Sequence, residues 1–190
     1  LSNNKALTIL RCDANALTAL DLSANTALKH VSCNYNPIQV LILPENPDLD
    51  YLSCQFNRLD QLDVRRYPRL TYLNCSMNQL RGIDLSANKI LKHLDCRQNL
   101  LTQLDVSGNL ELEHLDFSQN SLRKMPDLSP HVQLKALGAE FNYIPPEDLP
   151  LIHRLKDRFQ GVFRYNNRKV FDGIFYQEQK GYNLADYEKE

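Results

Sequence analysis

The sequence lacks several features that would point to a membrane, nucleic-acid or enzymatic function. It contains no run of about 18 apolar residues, so we predict no membrane-spanning segment. Because 22 basic residues are balanced by 23 acidic ones, no global field attracts nucleic acid or an anionic membrane. No signal peptide is recognisable, and no nucleophile elbow, P-loop or dinucleotide-binding fingerprint occurs. We therefore predict a protein that is not an enzyme and needs no cofactor.

The cysteine pattern argues against a disulfide framework and against a zinc site. Five cysteines cannot all pair within one chain, and none forms a CxxC cluster. Each follows the previous one by 21 residues, at Cys12, Cys33, Cys54, Cys75 and Cys96. Cysteine is small and often buried, so this spacing indicates a repeating core. We expect all five cysteines to be buried and unpaired.

A 21-residue repeat runs through most of the chain. Six segments fit LxxLx[CF]xxNx[LI], with Val31 at one fourth position, and they begin at Leu7, Leu28, Leu49, Leu70, Leu91 and Leu112. The sixth has Phe117 in place of Cys, and a degraded seventh copy begins one residue late at Leu134, with Ala139 in place of Cys. Residues 1–4 match residues 22–25 in the second half of a repeat, so we expect the natural N-terminus to lie further upstream.

This pattern resembles the leucine-rich-repeat family, and more narrowly the short bacterial IRREKO class with the consensus LxxLxCxxNxLxxLDLxxN. The resemblance covers about residues 1–144 and rests on six matches in one register. It implies a mainly β fold, a right-handed solenoid with a parallel sheet on its concave face. It also implies a binding function and, in many bacterial members, a cell-surface or secreted location. It does not imply a ligand, because the variable positions determine ligand choice.

Physical chemistry independently favours stacked repeats. Each LxxLxC stretch is too short to bury its own apolar residues, so neighbouring repeats must stack and pair as parallel strands. The repeated Asn can hydrogen-bond backbone groups at the turn after each strand, and we predict a structural role for it. This Asn recurs at Asn15, Asn36, Asn57, Asn78, Asn99 and Asn120. We expect Asn88, in the other half of a repeat, to be exposed.

The second half of each repeat alternates apolar and polar residues, which predicts a second short strand on the opposite wall. Its aspartates, which would form an acidic column, are Asp21, Asp63, Asp84 and Asp105. Such a column could bind a cation, but capping of nearby turns is the commoner role. Pro44, Pro47 and Pro68 replace small residues there, and we expect stiffer turns with an unchanged register.

Residues 145–190 contain no repeat, and we predict a small α/β cap. Pro146 and two acidic residues fit a helix start, and the helix would end near Gly161. Short strands are predicted around residues 162–165, 169–171 and 174–176. An open solenoid end exposes core and a strand edge, so a cap is required. The aromatic residues of this segment offer an alternative role as a docking surface.

Variable positions on the predicted sheet are the candidate binding residues. A stripe just before the fourth-position Leu consists of His30, Tyr51, Tyr72, His93 and His114. Two aromatic residues follow the Cys, Tyr35 and Phe56, and two aspartates lie beside the stripe, Asp95 and Asp116. Aromatic and imidazole side chains combine contact area with a polar tip, which suits a protein or glycan interface. Asp95 and Asp116 would form its polar rim. The alternative is a side-chain ladder that only stabilises the sheet.

Three functions remain open. The first is a monomeric binding protein, secreted or at the cell surface, that recognises a protein or a glycan without a metal or cofactor. The second is a cytoplasmic scaffold, because unpaired thiols persist in reducing compartments. The third is a metal-binding or enzymatic site at the corner formed by His93, Asp95, His114 and Asp116, because imidazole and carboxylate groups can ligate zinc.

Overall fold

Short strands recur along the chain at the period of the repeat. A computed structural model describes residues 1–145, Asp148 and the segments 163–164, 169–171 and 174–176. The strands are β1 (Ile9–Arg11), β2 (Ala19–Asp21), β3 (His30–Ser32), β4 (Val40–Ile42), β5 (Tyr51–Ser53), β6 (Tyr72–Asn74), β7 (His93–Asp95), β8 (His114–Asp116), β9 (Ala136–Gly138), β10 (Phe163–Arg164), β11 (Lys169–Phe171) and β12 (Ile174–Tyr176). The predicted helix that would follow Pro146 lies outside the described residues.

Seven repeats each contribute one strand to a parallel sheet. Its order is β1-β3-β5-β6-β7-β8-β9-β10, in which β10 is an eighth strand from the C-terminal segment. Repeats that are consecutive in sequence are therefore neighbours in space. The register is strict: Tyr51 lies opposite Tyr72, and Tyr72 lies opposite His93. Equivalent positions of successive repeats therefore stand side by side, and residues 1–145 form a parallel β-solenoid.

The apolar positions of the repeat form one continuous core. The middle residue of a strand points inward because side chains alternate, and Leu52, Leu73 and Leu94 are fully buried. A second buried column lies two residues after the middle of each strand. It consists of Cys33, Cys54, Cys75 and Cys96, and Phe117 and Ala139 continue it. The prediction of buried cysteines is right for these four and wrong for Cys12. That cysteine is half-buried because β1 is the edge strand of the described sheet.

The thiols should differ in reactivity, and the difference can be measured on the native protein. All five are free, and burial raises the pKa of Cys33 to about 12 and those of Cys54 and Cys96 well above the usual value. Only the thiolate reacts, so these groups should be inert. We expect a thiol probe to label Cys12 first in native protein, and all five cysteines after denaturation. Rapid native labelling of Cys54 would contradict the buried column.

The Asn of the motif links each turn to its neighbour. The Asn78 side-chain amide lies 2.9 Å from the Cys54 carbonyl and 3.1 Å from the Cys75 carbonyl, and its oxygen accepts from the Leu59 backbone N–H at 3.0 Å. The same bonds recur at Asn36, Asn57, Asn99 and Asn120. Asn142 keeps the role in the seventh repeat. The predicted structural ladder is confirmed.

A second ladder of polar side chains lies on the opposite wall, where the expectation for Asn88 was wrong. Asn88 is fully buried, and its amide donates to the carbonyls of Val64 at 3.0 Å and Tyr67 at 2.8 Å. Equivalent positions hold Asn25, Asn46, Tyr67, Asn109 and His131. Asn46 contacts the carbonyl of Leu28, which begins its own repeat, and each of the others contacts a backbone carbonyl of the preceding repeat. Coils that lack sheet pairing here need another partner for those carbonyls, and this column supplies it.

The predicted second strand forms in only part of the opposite wall. β2 and β4 pair in parallel, whereas the corresponding segments of the later repeats are not strands in the described structure. The aspartates of this wall cap turns, as expected. Asp21, for example, accepts from the Ser23 N–H at 2.9 Å, and hydrogen bonds from Ser23 hold the pKa of Asp21 below its usual value.

Tight turns follow β1, β3 and each strand from β5 to β9, and one residue in each turn is left-handed. This residue precedes the ladder Asn, with φ between 51° and 57° at Ala14, Tyr35, Phe56, Met77, Gln98, Gln119 and Phe141. None is glycine, so each conformation costs energy that the neighbouring coil must offset. The N–H of Phe56, for instance, donates to the Ser76 carbonyl at 3.0 Å.

The proline-containing turns keep the register, as predicted, since β4, β5 and β6 stay aligned with their neighbours. In the C-terminal segment, β10 pairs in parallel with β9, and β11 pairs with β12 in an antiparallel hairpin. These strands match the predicted strand positions, while the capping role stays a prediction. Among the described residues, no helix has the length and hydrophobicity required to cross a bilayer.

Candidate functional site

Five rings stand in one stack on the solvent side of the eight-stranded sheet. This ring ladder consists of His30, Tyr51, Tyr72, His93 and His114. Successive ring centroids are 3.9, 4.3, 4.3 and 4.3 Å apart, with interplanar angles between 5° and 8°. Each ring is half-buried, because neighbours cover its faces and leave its edge to solvent. The ladder therefore presents a row of polar ring edges above an aromatic stack.

The strand register builds the ladder without help from loops. Parallel strands lie about 4.8 Å apart, close to the distance at which flat rings stack. The rings occupy the same position in β3, β5, β6, β7 and β8, so the pairing of the backbones aligns them. Ile9 on β1 and Ala136 on β9 end the stack.

Tyr35 and Phe56 form a second aromatic element, the aromatic pair, at the turn after the strands. Their rings stack at 5.2 Å with an angle of 28°. Both have left-handed backbones, which direct the side chains outward, and they are 52% and 53% exposed. Pro37 and Arg58 line the shallow groove beside them. What distinguishes this pair from other exposed apolar residues is that its two rings stack into one patch beside a groove.

A buried polar network lies beside the ring ladder. Ser32 Oγ donates to the Asp13 carboxylate at 2.7 Å, and Ser53 Oγ donates to the Asn34 side-chain oxygen at 2.8 Å. Asn74 continues the network by donating to the Gln55 side chain at 3.1 Å. These bonds join successive strands, so this column supports the sheet.

The sequence pattern predicted that Asp95 and Asp116 form an exposed rim. That prediction is wrong, because both belong to this buried column. Their exposed fractions are 6% and 1%. Arg97 lies 3.5 Å from Asp95 and 3.9 Å from Asp116, and Ser118 donates to Asp116 at 2.6 Å. Gly138 gives Asp116 its room, since a Cβ there would lie 2.4 Å from a carboxylate oxygen. Arg97 thus links the ends of β7 and β8 beside the ring ladder.

Burial shifts the pKa of three ladder rings toward the neutral form. Burial and the neighbouring imidazole of His114 lower the pKa of His93 to about 4, against the carboxylate of Asp116. Burial and the charge of Arg11 lower the pKa of His30. Burial and then Tyr51 raise the pKa of Tyr72. The ladder is therefore neutral in its middle, as the centre of an interface usually is.

Comparisons with solved structures place the fold. The chain matches a leucine-rich-repeat protein of Leptospira interrogans with a TM-score of 0.70 at 20% identity, covering 88% of this chain and 45% of that one. It matches the leucine-rich effector protein YopM of Yersinia pestis with a TM-score of 0.63 at 28% identity, covering 72% and 38%. It also matches an internalin (inlF) of Listeria monocytogenes with a TM-score of 0.61 at 17% identity, covering 89% and 58%.

This chain has the fold of a leucine-rich-repeat solenoid. The stacked 21-residue turns and these structural neighbours agree on the repeat that the sequence pattern indicates. The match covers between 38% and 58% of the length of these three proteins. No family model and no curated protein sequence matches it.

The leucine-rich-repeat register brings the candidate residues together in three groups. The ring ladder holds five of them, the aromatic pair holds Tyr35 and Phe56, and the buried column holds Asp95 and Asp116. At the His93–His114 corner, as elsewhere in residues 1–145, no group of three or more His, Cys, Asp or Glu side chains is placed to hold a metal.

Sequence reasoning missed two features of the solenoid. The Asn34, Gln55 and Ser76 side chains complete the buried network, and the position after the Cys is the signal that could have found them. The left-handed turn residues left no sign in composition, because glycine is absent from all seven positions.

Proposed function

We propose that this leucine-rich-repeat solenoid is a non-catalytic module that binds a protein partner through the solvent side of its eight-stranded sheet. The observation that carries the proposal is the five-ring stack of the ring ladder, with the exposed aromatic pair at the turns after two of its strands. Aromatic side chains are enriched at interface centres because they bury a large area with little loss of conformational entropy. We take this to be the concave face. Tyr51, Tyr72, His93 and Phe56 would be its energetic centre.

The other candidate residues have graded roles in this proposal. His30 and His114 extend the surface to either end, and Tyr35 adds to its edge. Asp95 and Asp116 act indirectly, because their carboxylates hold the strand ends on which the rings stand. Aromatic side chains are typical of the centres of protein interfaces, so we favour a protein partner, and glycan binding is an outcome of the test.

The test compares sets of double substitutions in a binding assay with a purified candidate partner. We expect Tyr51→Ala with Tyr72→Ala to weaken binding about 30-fold, since hot-spot truncations cost about 2 kcal/mol or more. Tyr35→Ala with Phe56→Ala should weaken binding less. The matched control is Val40→Ala with Ile42→Ala, an exposed apolar pair on the opposite wall. Unchanged affinity in both aromatic variants, or equal loss in the control, would contradict the proposal.

Folding must be measured beside binding, because each tyrosine ring stacks on both sides. Truncating Tyr51 and Tyr72 removes three ring contacts, so it should also lower the stability by about 2 kcal/mol. The aromatic pair makes one contact and offers the cleaner variant. A glycan array with the same variants distinguishes the two classes of partner. If the chain binds a glycan and Tyr51→Ala abolishes that binding, the partner is a glycan and not a protein.

We propose that the module acts outside the cytoplasm, at the cell surface or after secretion. The similarity to YopM, whose name describes it as an effector, favours export. The competing role is that of an intracellular scaffold, which the five free thiols favour. Fractionation of the source organism with an antibody against this chain distinguishes the two: recovery only from the cytosol would support the scaffold.

A further inference from the structure

The two imidazoles at one end of the ring ladder lie face to face. His93 and His114 occupy paired positions on β7 and β8, with ring centroids 4.3 Å apart and an interplanar angle of 8°. The other face of His93 is covered by Tyr72 at the same distance. Neutral rings stack favourably at this separation, whereas two imidazolium rings would place like charges in direct contact. The stack is therefore stable only while the pair carries at most one positive charge.

Nearby charges do not cancel this sensitivity. The charged and titratable groups around the pair are Tyr72 on β6; Lys92, Asp95 and Arg97 of the β7 repeat; Glu113 and Asp116 of the β8 repeat; and Lys135 before β9. The two closest carboxylates already lie within 4 Å of the Arg97 guanidinium, and Glu113 pairs with Lys135 and Lys92. Each carboxylate near the imidazoles thus has a permanent cation beside it.

We propose that the stacked His93 and His114 form a proton-operated switch that keeps the ring ladder closed at neutral pH and opens this end of it in acid. Uptake of protons charges adjacent rings, and their repulsion separates them and withdraws cover from Tyr72. The low pKa of His93 agrees with this geometry, since burial and His114 both favour the neutral ring. The contact between Tyr51 and Tyr72 contains no imidazole and stays stacked.

The direction of the effect on stability follows from linkage. In the folded protein His93 has a pKa of about 4, below its ordinary value of 6.5, so the unfolded chain binds this proton more readily. The stabilisation is complete above the ordinary value and is lost as the pH falls from there toward 4. Stability therefore begins to fall in mildly acidic surroundings, and the ring pair of the folded protein becomes charged as the pH approaches about 4.

Nuclear magnetic resonance of the full chain tests the switch without any partner. Imidazole signals, assigned with His93→Gln and His114→Gln, are followed from about pH 7.5 to about pH 3.5. We expect His93 to titrate near 4, the Tyr72 ring signals to move with it, and His114→Gln to raise the His93 midpoint. His30→Gln, at the other end of the ladder, should leave that midpoint unchanged. A His93 midpoint at its ordinary value, or a Tyr72 signal that ignores the titration, would overturn the proposal.

Thermal melts provide a second measurement. Between neutral and mildly acidic pH, the melting temperature of the wild-type protein should fall further than that of His93→Gln, because the variant lacks the linked proton. Equal pH dependence of the two proteins would count against the switch.

The consequence for binding rests on the proposed function, and failure of the switch can be distinguished from failure of the proposed function. A protein partner held by the ring ladder should bind about tenfold more weakly in acid than at neutral pH. The variant with His93→Gln and His114→Gln should lose most of this dependence. Normal imidazole titrations with no binding through the ladder would reject the proposed function alone. Acid-sensitive binding that persists in the double variant would reject the switch.

Discussion

Replacing Phe117 with alanine is expected to lower the free energy of unfolding by about 4 kcal/mol, as truncations of buried Phe typically do. Phe117 is fully buried and occupies the position that holds cysteine in the five preceding repeats. The next position in the column is Ala139, which is also fully buried. A large side chain thus follows four buried thiols and precedes a methyl group, so its removal leaves a cavity that neither neighbour can fill.

The matched control is Cys54→Ala, which removes a single buried sulfur in the same column and should cost about 1 kcal/mol. Phe117→Leu should fall between the two because it keeps much of the volume. Denaturant unfolding followed by circular dichroism gives all three values. If Phe117→Ala were no more costly than Cys54→Ala, the column would be loosely packed at the end of the solenoid.

Asn78→Ala should destabilise the protein by about 2–3 kcal/mol, because buried backbone groups lose hydrogen bonds while water stays excluded. The substitution deprives the Leu59 N–H of its acceptor and removes one of the two asparagine donors from each of the Cys54 and Cys75 carbonyls. Two of these three residues lie in the preceding repeat. The substitution therefore weakens the contact between coils, which is the main source of stability in a solenoid.

Two other asparagines calibrate this result. Asn88→Ala, in the second ladder, should cost about 2 kcal/mol, since Asn88 is fully buried and bonds two carbonyls. Asn15→Ala should cost about 0.5 kcal/mol, because Asn15 is exposed and bonds only carbonyls within its own turn. Equal losses at Asn15 and Asn78 would show that the bonds between coils contribute nothing.

The ring ladder combines support of the sheet with display of a surface. Stacking on both sides makes Tyr51 and Tyr72 structural, while their ring edges remain open to a partner. The aromatic pair lacks this dual role, since Tyr35 and Phe56 contact each other and are more than half exposed. Substitutions in the two elements therefore separate loss of binding from loss of folding.

Most of the solenoid could be predicted because its repeat is local and regular. The spacing of Leu52, Cys54 and Asn57 within one coil already states which side chain faces inward and which caps the turn. The errors fell where a neighbouring coil determines the environment. Asn88 was expected in solvent, yet the preceding coil supplies two carbonyls that its side chain binds. Asp95 and Asp116 were expected on the rim, yet Arg97, Ser118 and the absence of a side chain at Gly138 bury them.

By itself, the sequence determined the repeat, the parallel register and the column in which each side chain stands, because a fixed period of 21 residues permits one way of stacking. Only the tertiary structure decided what those columns do. Rings at equal positions became a stack because parallel strands lie about 4.8 Å apart. Turn residues without glycine became left-handed because bonds to the next coil hold them there. Such effects depend on pairs of coils, and no single coil encodes them.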